Sequence, residues 1–146
     1  MPLNLIELGI GKCFTSETNN FITNNLNLKN IKLLYVSGNG FINFEGFKKV
    51  KFLQLKEFWS TGCEKEGYLT DIKEIFNLNN KETIRKIVLK QNRINNIEEL
   101  IDIIKYFPRL TVLNVQNNNI REDRIKNVLN KIKQIEGFKN FEIKYN

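Results

Sequence analysis

The chain has 146 residues, 41% of them hydrophobic and 27% charged, and a formal net charge of +7. That balance fits a single globular domain over residues 1–146 with a continuous core, and excludes a disordered chain. There is no histidine, the commonest general base and metal ligand, and two cysteines are too few for a disulfide framework. No apolar run is long enough to cross a bilayer, and the first residues lack the basic and apolar regions of a signal peptide. The expected setting is therefore a reduced intracellular compartment, cytoplasmic or alternatively nuclear. Charge is uneven along the chain: residues 1–80 hold 9 Lys/Arg against 8 Asp/Glu, and residues 81–146 hold 14 against 8. The C-terminal half is the basic half.

In chain order, Leu3, Ile6 and Leu8 begin a strand-like segment, with Gly11 and Cys13 beyond it. Glu17 to Leu26 has the spacing of a short helix. Ile31, Leu34, Val36, Asn39 and Phe41 then read as a strand and a bend. Val50, Leu53 and Leu55 suggest another strand, with Phe58 and Ser60 in its last slots, and Tyr68 to Phe76 a short helix. Ile84, Ile87, Leu89, Asn92 and Ile94 repeat the strand-and-bend pattern. Asn96 to Phe107 is a helix stopped before Pro108. Leu110, Leu113, Val115, Asn118 and Ile120 give the pattern again. Glu122 to Ile135 is a helix with an acidic start, stopped by Gly137, and Phe138, Phe141 and Ile143 close the chain as a strand.

Three segments, starting at 31, 84 and 110, share L-x-x-L-x-L-x-x-N-x-L with apolar substitutions, and weaker copies start at 3, 50 and 138. The chain thus resembles the leucine-rich repeat family over essentially its whole length. With intervals of 28, 19, 34, 26 and 28 residues, it is most similar to the ribonuclease-inhibitor type with irregular repeats. The resemblance implies an α/β solenoid of about six repeats, with a short parallel sheet on the concave face and helices on the convex face. In such a unit L-x-L places two apolar side chains on one face of a strand. The Asn at the bend bonds backbone groups of neighbouring coils that would otherwise be buried without partners.

Nothing in the sequence composes a catalytic or metal site, and no cofactor or small-molecule substrate is expected. Cys13 falls in an apolar slot and reads as a core thiol. Cys63 lies in what looks like an insertion, Trp59-Ser-Thr-Gly-Cys-Glu-Lys. Gly38-Asn39-Gly40 lacks the spacing of a phosphate-binding loop and fits a bend. Glu98, Glu99 and Asp102 fit the solvated side of a helix.

The informative residues are those between the apolar slots, which the repeat would turn to the concave face. The candidates for partner binding are Lys32, Tyr35, Lys51, Phe52, Lys56, Arg85, Lys86, Lys90, Arg93, Gln116, Lys144 and Tyr145. They predict a basic groove, with an apolar line of Leu5, Leu33, Phe52 and Val112 along it, interrupted by Lys86 and Asn140. Both chain ends lack a polar cap, so a partner or second copy is expected to cover at least one. The function expected is a non-enzymatic interaction module with a protein partner. The alternative is a ribosome- or other ribonucleoprotein-associated subunit whose basic half meets RNA. No membrane partner is expected.

Overall fold

The computed structural model describes residues 6–11, 28–38, 48, 51–62, 68–77 and 81–145. Within them the chain is α/β: one sheet of six parallel strands and three helices. The strands are β1 (Glu7–Gly11), β2 (Leu33–Ser37), β3 (Glu57–Thr61), β4 (Lys86–Val88), β5 (Val112–Asn114) and β6 (Glu142–Lys144). They lie side by side in chain order, each hydrogen-bonded in parallel to the next. Parallel neighbours cannot be joined by a tight turn, so the chain must travel back between them. Helices α1 (Tyr68–Asn77), α2 (Ile97–Tyr106) and α3 (Glu122–Lys133) make that return after β3, β4 and β5.

The helices form where the apolar spacing expects them. Leu100, Ile103 and Ile104 in α2, and Ile125, Val128 and Ile132 in α3, recur at three- and four-residue steps and are buried. Asn96 caps α2 by accepting hydrogen bonds from the amides of Glu98 and Glu99 at 3.0 and 3.4 Å. Acidic residues open α3, and Lys131 and Lys133 lie in its last turn. The helix ends at Lys133, two residues before the expected Ile135, with Gly137 at φ 90° in the turn that follows. The expected helix over Glu17 to Leu26, and the expected slots at Leu3, Cys13, Asn39, Phe41 and Val50, lie outside the described residues.

Strand register decides which apolar residues share the core. Leu8, Leu34, Phe58, Ile87, Leu113 and Ile143 form one row across the sheet. Ile10, Val36 and Ser60 begin a second row. Before the strands stand Ile31, Leu55, Ile84, Leu110 and Phe141, all buried. Three residues earlier again are Leu28, Phe52, Phe107 and Phe138, also buried. The amides of Ile31, Leu110 and Phe141 bond back to the carbonyls of Leu28, Phe107 and Phe138, so these turns are alike.

This register corrects three of the expected frames. Leu8 pairs with Leu34, so the first frame runs through Leu8 and Ile10, and Ile6 is 55% exposed rather than a core residue. Phe58 also pairs with Leu34, so the third frame begins at Leu55, and Leu53 is 48% exposed. Ile143, not Phe141, pairs with Leu113, while Phe141 makes the turn bond to Phe138 that Leu110 makes to Phe107, with one residue fewer before the strand. Counted in these frames, the gap of 19 residues after position 31 becomes 24, the distance from Ile31 to Leu55.

Phe76 of α1 ties the layers together. Its ring lies 5.4 Å from Phe58, 5.5 Å from Phe107 and 6.4 Å from Phe52 between centroids. Edge-on aromatic pairs each contribute about 0.5–1.5 kcal/mol beyond the area they bury. The bends after β4 and β5 are closed by side-chain amides. Asn118 Oδ1 accepts from the amides of Asn92 and Ile94 at 2.9 and 3.0 Å. Its Nδ2 donates to the carbonyls of Leu89 and Val115 at 2.7 and 2.8 Å, and Asn92 Nδ2 donates to the Ser60 carbonyl at 2.8 Å. This is the role expected for Asn at the bend. Gln91, Arg93 and Asn117 adopt positive φ there, a backbone region that is costly without such support.

Candidate functional site

Side chains alternate along a strand, so the residues between core positions face away from the helices. Three rows result on this open face. The first holds Glu7, Leu33, Glu57, Lys86, Val112 and Glu142. The second holds Gly9, Tyr35, Trp59, Val88, Asn114 and Lys144. The third follows at the strand ends, with Gly11, Ser37 and Thr61, then Lys90 and Gln116 just past β4 and β5.

Chemistry concentrates at β2–β4. Tyr35 and Trp59 are register partners, half-buried, and meet edge-on with centroids 6.2 Å apart. The Tyr35 hydroxyl lies 3.3 Å from Thr61 Oγ1. Trp59 Nε1 donates to Glu57 Oε2 at 3.0 Å, and the same oxygen lies 3.6 Å from Lys86 Nζ. Lys86 Nζ also stands 4.8 Å from the centre of the Trp59 ring. The ammonium therefore touches a carboxylate and an aromatic face together, while the carboxylate holds the indole in place. Beside this cluster, Asn114 is turned inward on itself: its amide bonds the Gln116 side chain at 3.0 Å and accepts from the Gln116 amide at 3.1 Å.

The rows divide the sequence-derived candidates. Tyr35, Lys86, Lys90, Gln116 and Lys144 do lie on or beside the open face. Lys32, Lys56 and Arg85 stand one residue ahead of β2, β3 and β4, at the starting edge of the sheet. Lys51 is in the segment leading to β3, and Arg93 is in the bend after β4 with φ 54°. Phe52 is fully buried, because it lies three residues before Leu55 on the core side. Tyr145 sits on the Ile143 side of β6 and packs against the core. The apolar line is broken as well: Glu57 and Lys86 separate Leu33 from Val112, and Leu5 is outside the described residues.

The open face is also not basic. On its described rows Glu7, Glu57 and Glu142 balance Lys86, Lys90 and Lys144. Lys144 lies 3.9 Å from Glu142, a loose exposed pair of small energetic weight.

Sequence reasoning missed Trp59 and Thr61 because it placed them beyond the strand. The signal was Leu55-x-x-Phe58-x-Ser60, obscured by a serine where an aliphatic residue is usual. Ser60 is nonetheless fully buried in that slot.

Behind the sheet, Thr70, Lys73, Glu74 and Tyr106 line a shallow hollow between α1 and α2. Lys81 Nζ lies 4.5 Å from the Tyr106 ring centre, and burial raises the Tyr106 phenol above its usual range. Among the described residues no group of three His, Cys, Asp or Glu side chains could hold a metal. No described helix is long and apolar enough to cross a membrane. Set beside known proteins, the chain is matched by no family model, no curated protein and no solved structure.

Proposed function

We propose that this chain is a non-enzymatic interaction module, a leucine-rich repeat solenoid of about six coils that holds a protein partner on its concave sheet. The observation that carries this reading is the Tyr35–Trp59 pair. Two large aromatic side chains lie next to each other on the open face, half-buried, within reach of Glu57, Thr61 and Lys86. An aromatic centre ringed by polar groups is the composition of a binding hot spot. Adjacent parallel strands in chain order and Asn-closed bends support the solenoid. β1 and β6 are the outer strands of the described sheet, where a partner or second copy would cover unpaired backbone groups.

The second reading is a ribonucleoprotein-associated subunit. What favours it is the alignment of Lys32, Lys56 and Arg85 just ahead of three consecutive strands. The module would work in the cytoplasm, or in the nucleus if its partner is there.

Capture of the tagged protein from its own cells, with and without ribonuclease, tests the reading. The expected result is one discrete protein, retained after ribonuclease and lost when Tyr35 and Trp59 are both changed to Ala. Trp59 is the sole tryptophan, so its fluorescence reports directly on whether the purified partner reaches this face. A partner that binds without changing that emission, and equally well to the double variant, would sink the proposal.

A further inference from the structure

The geometry points to a second surface, a phosphate-binding ridge along the starting edge of the sheet that takes the backbone of a nucleic acid strand. It rests on the second reading, which it deepens, and does not depend on the aromatic cluster holding a protein partner. Lys32, Lys56 and Arg85 occupy equivalent places: the Lys56 amide bonds the Lys32 carbonyl at 2.8 Å, and the Arg85 amide bonds the Lys56 carbonyl at 2.9 Å. Neighbouring strands lie about 4.8 Å apart, so the backbones of the three cationic residues follow one another at about that step along one line.

Lys32 and Lys56 are exposed, and among the described residues no carboxylate pairs with either of them. Arg85 is held at the ridge by Nη1, which donates to the carbonyls of Glu82 and Ile84 at 2.6 and 3.3 Å. The lysines of the ridge differ from Lys86, Lys126 and Lys144, each of which has a carboxylate within 4.0 Å. Positive charge has therefore been gathered on this edge without local neutralisation.

A nucleic acid strand fits this row better than an acidic peptide does. A phosphodiester backbone carries one negative charge at every nucleotide whatever its sequence. An extended peptide turns alternate side chains to opposite faces, so it would need an acidic residue at every second position to match. Flexible lysines act as point charges suited to phosphate oxygens. Contacts limited to phosphate predict binding that tolerates any base sequence and depends steeply on salt.

The test is fluorescence anisotropy of a labelled oligo-uridine 20-mer titrated with the purified chain at a series of salt concentrations. Wild type is expected to bind at low salt with a log–log slope of about −2 to −3, from three or four phosphate contacts. The triple variant K32Q/K56Q/R85Q should weaken binding at least about tenfold at low salt and flatten that slope by about 2. The variant K126Q/K131Q/K133Q removes the same charge from α3 and should stay within about twofold of wild type. K32R/K56R/R85K, which keeps the charge, should retain binding and separates charge loss from misfolding. Equal losses in the two Gln triples, no binding to the oligonucleotide, or equal competition by an oligo-glutamate of the same charge would each overturn the ridge.

Discussion

The pairs β2–β3 and β4–β5 sit in the same sheet and share its register, but they use their polar groups in different ways. At β4–β5 the amides of Asn92 and Asn118 are turned to the backbone, closing bends and bridging to Ser60, Leu89 and Val115. The open face there is nearly sealed, with Val88 and Asn114 at 1% and 7% exposure. At β2–β3 the same face carries Tyr35, Trp59, Glu57 and Thr61, bonded to one another and still half-exposed. One pair spends its polar chemistry on holding the frame, whereas the other displays it. The same lesson applies to charge. The basic C-terminal half sets many of its cations on or near helices, and two of them, Lys86 and Lys144, meet acidic residues on the open face, while the unpaired basic edge belongs mainly to β2 and β3.

Phe76 joins the two regions, so its truncation gives the largest effect. Phe76→Ala should cost about 3–5 kcal/mol of unfolding free energy in a denaturant titration, because it empties a site bordered by Phe52, Phe58 and Phe107. A loss under about 1 kcal/mol would mean the strands on either side do not share one core. Next comes the displaying face. Changing Tyr35 and Trp59 together to Ala should remove at least about 2 kcal/mol of partner binding. Stability should fall less than for Phe76→Ala, by about 1–3 kcal/mol, from the lost ring contact and the half-buried area of the two side chains. If stability and binding fall together, the pair is structural and the contrast between the two regions fails.

On the framing side, Asn118→Ala strands two amides and two carbonyls of adjoining bends. It should cost about 1–3 kcal/mol, with faster hydrogen exchange at Asn92 and Ile94. Partner binding through Tyr35 and Trp59 should be untouched. The smallest effect is at α2, where Asn96→Ala removes a cap from Glu98 and Glu99 and should cost about 1 kcal/mol. A change confined to local exchange in the first turn of α2 is the matching readout.

Much of this was legible in the residues. The helices could be placed because α2 and α3 carry apolar steps of three and four, an N-cap or acidic start, and Pro or Gly at the stop. The strands starting after Ile84 and Leu110 could be placed because one frame alone fits them, with Asn in register. The third strand could not. Val50, Phe52, Leu53, Leu55 and Phe58 offer two overlapping frames of apolar residues, and spacing alone does not choose between them. The first strand has the same ambiguity, with Leu3, Leu5, Ile6, Leu8 and Ile10 available.

The sequence by itself therefore determined the class of elements, the helix ends and the role of the Asn bends, because those depend on local periodicity and capping. Only the tertiary structure decided the frames, since register is a property of two strands and a shift by an odd number of residues reverses every side chain. That decision moved Phe52 into the core, brought Trp59 onto the open face beside Tyr35, and set Lys32, Lys56 and Arg85 along an edge instead of in a groove.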